Sequence, residues 1–285
     1  MQKPSWLKTK IPSGEKYFSL KKILKENKIF TVCEEAKCPN IGECWNRNTL
    51  TFLILGDICT RHCKFCNVKK DIPSEVDKDE PKRLARIVKK LNVKHVIITS
   101  VTRDDLEDGG ATIFCETLRE LRKINSKIVV EFLIPDFNGN LNSLNNVFNE
   151  NPDILGHNLE VPENIYPKIG RERCLYNRSL NILKKAKENE LTTKSGIMVG
   201  IGETINDIIK TFRDLNSINC DFLVIGQYLS PSIGHIKVEK YYSPEEFETL
   251  KEIAMRYGFK NVISHPLARS SYRADELFRD VRYRQ

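Results

Sequence analysis

No stretch of this 285-residue chain approaches the apolar length needed to cross a bilayer; the longest apolar stretch runs only from Leu50 to Gly56. The first twenty residues hold no apolar run of signal-peptide length and are lysine-rich rather than arginine-rich, so neither secretion nor a transit peptide is expected. Low-complexity tracts, internal repeats and long linkers are missing, as is any basic repeat interleaved with aromatics or other nucleic-acid signature. Neither nucleic acid nor membrane is therefore an expected partner, and the expected location is the cytoplasm. Charge of one sign does not dominate either: 46 basic and 38 acidic residues leave a net +8. Residues 1–30, with eight lysines and two acids, carry most of that excess, and the basic arm, including Lys8, Lys10 and Lys16, suits steering toward an acidic protein partner. With 40% hydrophobic and 29% charged residues, the chain is long enough and apolar enough to bury a substantial core.

What the chain does have is cysteine. There are nine, at 33, 38, 44, 59, 63, 66, 115, 174 and 220, and six fall between Cys33 and Cys66, where an even spread would place about one. An odd number in a long chain argues against a disulfide framework and for metal or redox chemistry in a reducing compartment. Cys59-Thr-Arg-His-Cys63-Lys-Phe-Cys66 puts three thiolates on one short loop, enough to hold three irons of a [4Fe–4S] cubane and leave the fourth open. A structural zinc site wants four ligands. His62 is the available fourth, but it adjoins Cys63 and would crowd the loop. Upstream, Cys33-Glu-Glu-Ala-Lys-Cys38-Pro-Asn-Ile-Gly-Glu-Cys44 is a second triplet in a stretch without helical or strand period, read as a loop able to wrap another cubane. A zinc-ribbon-like cap is the alternative for the pair. Cys115, Cys174 and Cys220 are isolated and read as buried packing residues. The scattered histidines 95, 157, 235 and 265 read as structural.

Around these motifs, short β-rich runs alternate with amphipathic segments. Strands are expected at 50–56, 95–101, 127–134, 153–160, 194–200 and 221–228, and 259–264 offers a seventh. Leu84, Ile87, Val88 and Leu91 lie on one helix face behind Pro81; Ile205, Ile208, Ile209, Phe212 and Leu215 do so behind a Thr204/Asp207 capping pair. Ser243, Pro244, Glu246 and Gly258 mark both ends of a further helix. Repeated βα units require a parallel sheet with helices outside. The expected fold is α/β, a partial (β/α)6 TIM-like barrel: residues 1–48 form an N-terminal extension with the first triplet, 49–258 the barrel, and 259–285 a C-terminal extension. Chemistry belongs where the strands end. There SVTRDDLEDGG offers Asp104, Asp105 and Glu107, either to a ligand or as the start of a capped helix. GIGETI is similar to a dinucleotide fingerprint but lacks its third glycine.

The CxxxCxxC run after the first strand of such an array resembles the radical S-adenosylmethionine superfamily, and CEEAKCPNIGECW resembles the auxiliary-cluster motif of lipoyl synthases. SVTRDDLEDGGA, PDFNGN, GHNLEVP, SGIMVGIGET, GQYLSPS and RSSY extend the resemblance over nearly the whole chain. His62, Lys64 and Asn67 depart from residues the family often carries, and none is a cluster ligand. The resemblance implies a radical cluster on Cys59, Cys63 and Cys66 that binds S-adenosylmethionine. It implies a second, auxiliary [4Fe–4S] cluster on Cys33, Cys38 and Cys44, with a serine of RSSY, Ser270 or more specifically Ser271, as fourth ligand. It places Asn158 and Glu203 near the adenosyl group. The implied reaction is sulfur insertion at carbons 6 and 8 of an octanoyl chain on a lysine of a carrier domain, with sulfur drawn from the auxiliary cluster. The implied partners are octanoylated lipoyl carrier domains, namely dehydrogenase-complex E2 subunits and the glycine cleavage H protein, and a reduced ferredoxin- or flavodoxin-type donor. An RNA methylthiotransferase, which would need an added nucleic-acid-binding domain, is the second enzyme reading.

Overall fold

Parallel strands covered on both faces are apolar along their whole length, and the expected runs behave in this way. The computed structural model describes residues 2–9, 11–172, 174–272 and 274. The chain divides into two compact units, one of Thr9–His62 and Asn67–Leu155, the other of Met1–Lys8, Cys63–Cys66 and Gly156–Gln285.

In the first unit, helix α1 (Glu15–Glu26) buries Tyr17, Leu20 and Leu24 along one face. Strand β1 (Phe30–Thr31) leads into two short helices, α2 (Val32–Glu35) and α3 (Ile41–Asn46). Tyr17 meets the fully buried Trp45 of α3 with ring centroids 5.1 Å apart, so the α1 face closes over the cysteine-bearing helices. Strand β2 (Thr51–Ile54) is buried throughout; it pairs antiparallel with β1 and parallel with β5. Next in the chain come the small parallel pair β3 (Ile58–Cys59) and β4 (Lys69–Lys70), helix α4 (Glu80–Leu91), β5 (His95–Ser100), α5 (Ala111–Ile124), β6 (Val129–Leu133) and α6 (Leu141–Asn149). β5 and β6 pair in parallel. The helix at 80–91 forms as its periodicity predicts and stops at Asn92, whose φ of 52° supplies the left-handed cap. β2 ends before the expected Gly56 because Leu55 and Gly56 both take positive φ and turn the chain out of the strand. Strand β7 (Ile154–Gly156) carries the chain to the other unit.

The second unit contains α7 (Cys174–Glu188), β8 (Thr193–Val199), α8 (Ile205–Ser217), β9 (Phe222–Gln227), α9 (Pro244–Arg256) and β10 (Asn261–His265). β8, β9 and β10 run parallel, so the 259–264 run does add its strand. Both expected capping boxes form, Thr204 with Asp207 and Ser243 with Glu246, each a reciprocal pair satisfying two backbone N–H groups. Ile197, Val199, Leu223 and Ile225 from the strands pack with Ile208, Phe212, Phe247 and Leu250 from the helices. That packing fixes the strand ends on which the chemistry sits. Gly226 lets the C-terminal segment cross the sheet: a Cβ there would lie 2.2 Å from the Ala268 carbonyl oxygen.

The basic arm is partly tied down. Lys16 donates its ammonium to the Asn46 carbonyl at 2.6 Å, and Trp6 donates to the Tyr242 carbonyl at 3.3 Å. Lys8 is exposed; Lys10 lies outside the described residues.

Candidate functional site

In the first unit, Cys59 ends β3 with its sulfur facing two backbone donors, the N–H of Arg61 at 3.4 Å and of Thr102 at 3.3 Å. Thr60 donates through both its N–H and its hydroxyl to the Thr102 carbonyl, and its hydroxyl accepts from the Asp104 N–H. The loop after β5 is thus latched to the start of the cysteine run. Arg61 adds a bidentate pair to Asp104, both bonds 2.8 Å, and a 2.6 Å contact to the buried Asp136. Of the acids expected to meet a ligand or begin a helix, Asp104 is taken by Arg61 and Asp105 by Arg103. Ahead of α5, whose N-cap is Gly110, Asp108 accepts from the N–H groups of Gly110 and Thr112.

The upstream triplet lies on regular structure rather than on the expected loop. Cys33 sits on α2, Cys44 on α3, and Cys38 between them, where its N–H donates to the Cys33 carbonyl at 3.0 Å. Helices of four and six residues are too short to display a period; Thr31 starts the first by accepting from the Glu34 N–H. The three thiols are near enough to feel one another. Burial, then the neighbouring Cys38, pushes the Cys33 thiol up to about 11, and burial followed by Cys33 and Cys38 pushes Cys44 up to about 12. The fully buried indole N–H of Trp45 faces the Cys33 sulfur, and its hydrogen bond there opposes the upward push of burial.

In the second unit, Cys63 accepts a hydrogen bond on its sulfur from Arg171 Nε at 3.4 Å. The Arg171 guanidinium lies over the Phe65 ring, 5.7 Å from its centroid. The short loop is held by the Lys64 N–H on the Ile169 carbonyl at 3.0 Å and by His235, whose Nε2 meets the Cys66 carbonyl at 3.2 Å. Glu160 faces Arg171, its backbone in the left-handed region at φ 68°, a conformation that costs a glutamate about 1–3 kcal/mol and is tolerated where side-chain direction matters. Burial raises its carboxyl pKa, opposed by Arg171 and by a hydrogen bond from Asn158.

Asn158 also engages the RSSY segment. Its Nδ2 donates to Ser270 Oγ at 2.8 Å, and that hydroxyl donates back to Oδ1 at 3.0 Å. Ser271 makes no side-chain hydrogen bond among the described residues; its carbonyl accepts from Ala274 in the turn that buries Tyr272. Glu203 is committed to its own turn, accepting from the N–H groups of Gly200 and Ile201 and from the Tyr242 hydroxyl. GIGETI is therefore a closed strand-to-helix turn. His157 pairs with Ser179, His265 stacks on Tyr272, and His62 is exposed. Cys115 and Cys220 are buried thiols, both pushed up by burial, to about 11 and about 12. The side chain of Cys174 lies outside the described residues.

Sequence reasoning missed Arg61 and Arg171, whereas His235, read as structural, holds the loop through the Cys66 carbonyl. A basic residue inside the cysteine run and an acid doublet after the next strand were a readable complement for Arg61. Nothing local marks Arg171 or His235, which are brought to the loop by tertiary packing.

Known proteins resemble the chain in sequence and in fold. The family model of the Radical SAM superfamily matches residues 53–215, and that of the N-terminal domain of lipoyl synthase matches residues 1–38. The lipoyl synthase of Shouchella clausii is 51% identical over 97% of this chain and 90% of its own length. That of Bacillus subtilis is 50% identical over 97% and 93%. Among solved structures, Streptococcus suis SuiB bound to S-adenosylmethionine aligns with a TM-score of 0.58 at 14% identity over 78% of this chain, which spans about half of that protein at 53%. The methylornithine synthase PylB aligns at 0.54 and 14% identity, over 91% of this chain and 81% of PylB. Both likenesses speak to the fold alone. Half of the residues are shared with curated relatives along almost the entire length, and both cysteine triplets lie in the matched span, so the chain belongs to the lipoyl synthase family of the radical SAM superfamily.

Proposed function

We propose that this enzyme inserts two sulfur atoms at carbons 6 and 8 of an octanoyl group carried on a lysine of a lipoyl carrier domain. Carrier domains of the E2 and H-protein type are the proposed substrates, and a reduced ferredoxin or flavodoxin the proposed electron donor. The family assignment supports this reading; the observation that carries it here is the grouping of Cys33, Cys38 and Cys44, with the buried Trp45 N–H directed at the Cys33 sulfur. Three soft donors suit iron–sulfur ligation, and a buried N–H aimed at a ligand sulfur suits one that carries negative charge. When bound, a cluster and S-adenosylmethionine supply a radical able to take hydrogen from an unactivated carbon, chemistry no side-chain acid or base performs.

The residues divide the work. Cys59, Cys63 and Cys66, within eight positions of sequence, are assigned to the cluster that binds S-adenosylmethionine. Cys33, Cys38 and Cys44 are assigned to the auxiliary cluster, with Ser271 as fourth ligand; Ser270 is already paired with Asn158, which supports the choice between the two serines. Arg61, latched to Asp104 and Asp136, holds the first cysteine of the run, and two backbone N–H groups are directed at the Cys59 sulfur. Residues 1–48, 49–258 and 259–285 are assigned, respectively, to the auxiliary motif, the radical chemistry and the RSSY segment. Among the described residues no helix is long and apolar enough to cross a membrane, and the proposed location is the cytoplasm.

Anaerobic purification tests the assignment. Roughly eight irons per chain are expected for two [4Fe–4S] clusters. Cys63→Ala abolishes formation of 5′-deoxyadenosine, whereas Cys38→Ala retains cleavage of S-adenosylmethionine and loses sulfur insertion. Stoichiometric zinc, or thiolation by Cys38→Ala, contradicts it.

A further inference from the structure

The sulfur of Cys63 is met by a charged side chain, Arg171, and that side chain is built in. Arg171 does not reach the loop by chance of a flexible surface chain. Its N–H donates to the Tyr166 carbonyl at 2.9 Å, its guanidinium is stacked over Phe65, and Glu160 faces it from a strained backbone position. Glu160 is held in turn by Asn158, and Asn158 by Ser270. All seven residues, Cys63, Phe65, Asn158, Glu160, Tyr166, Arg171 and Ser270, belong to one compact unit.

We propose that Arg171 is a positioning residue for the Cys63 thiolate, with its Nε–H directed at the sulfur and Glu160 fixing the guanidinium, and that it raises the reduction potential of the cluster that Cys63 holds. This rests on the assignment of Cys63 as a cluster ligand. The physical reason is charge. Guanidinium is always protonated, and each electron added to a cluster increases the negative charge on its sulfurs, so an N–H donor and a positive charge at a ligand sulfur favour the reduced form. Arg171 would thereby ease delivery of the electron on which the radical chemistry depends. A purely structural arginine would support the loop and leave the potential where it was.

The test is a redox titration of the reconstituted full-length protein, followed by electron paramagnetic resonance in the absence of S-adenosylmethionine, on the signal that S-adenosylmethionine subsequently perturbs. Arg171→Met keeps the length and apolar stem and removes charge and donor together. Arg171→Lys keeps the charge and removes the directed Nε–H. The reduction equilibrium is expected to fall about tenfold in Arg171→Met, about 59 mV for a one-electron couple, and by a smaller factor in Arg171→Lys, with iron content unchanged in the lysine variant. An unchanged midpoint in either loaded variant overturns the proposal, as does an effect confined to affinity for S-adenosylmethionine. If the native protein shows no signal that responds to S-adenosylmethionine, the cluster assignment itself fails and the role of Arg171 with it.

Discussion

Asn158 and Ser270, 112 residues apart in sequence, bind each other through both ends of the asparagine amide, with the serine hydroxyl 2.8 Å from Nδ2 and 3.0 Å from Oδ1. The pair fastens the C-terminal RSSY segment to the residues that follow β7. It fits only because residue 196 on β8 is glycine: a Cβ there would lie 2.8 Å from Asn158 Oδ1 and 3.0 Å from Ser270 Oγ.

Gly196→Ala is therefore expected to push the pair apart and destabilise the apoprotein by about 1–3 kcal/mol, the usual cost of overpacking a close contact. Urea unfolding of the variant beside the native protein measures it. A midpoint that does not move would show that the pair has room to spare.

Arg61 ties the cysteine run to the loop after β5. Arg61→Ala leaves Asp104 and the buried Asp136 without their shared cation, and a lost charged hydrogen bond of this kind costs about 2 kcal/mol. The start of the cysteine run loses its latch to the loop after β5. Iron retained at the radical cluster should fall during desalting, while iron at the auxiliary triplet is kept. Equal loss from both sites would show that Arg61 serves general stability.

Glu80 gives the protein a pH dependence that can be isolated. Its carboxylate is 4% exposed and accepts from the Leu55 N–H at 2.8 Å, yet burial outweighs that bond and raises its pKa from 4.5 to about 7. Between those values the folded chain keeps a proton that the unfolded chain has released, so stability falls as pH rises through the window. The change amounts to about 3 kcal/mol. Denaturant midpoints of the apoprotein between pH 4.5 and 8 should show this slope, and Glu80→Gln should flatten it. A slope identical in the variant would assign the effect elsewhere.

The regular parts of the fold were legible because they obey local rules. The helices beginning at Glu80, Ile205 and Pro244 carry both a period and a cap, and β5, β8, β9 and β10 are apolar runs bounded by turn residues. Their ends were less so: the 153–160 run stops as a strand at Gly156, and the chain beyond it bends through Glu160 at positive φ. The one-turn helices around Cys33 and Cys44 were unreadable because four to six residues cannot show periodicity. In the site, cysteine spacing pointed to the two triplets directly. Of the groups beside them, Trp45 adjoins Cys44 within the motif itself, whereas Arg171 reaches Cys63 from 108 residues away through packing that spacing does not encode.

The central claim is that two cysteine triplets cooperate to place sulfur on an unactivated acyl chain. It is tested most directly by incubating the anaerobically reconstituted enzyme with an octanoylated carrier-domain peptide, S-adenosylmethionine and a reductant, and weighing the peptide. The account predicts a product that has gained two sulfur atoms, formed only when both triplets are intact. A peptide of unchanged mass, despite 5′-deoxyadenosine accumulating in the same tube, would contradict it.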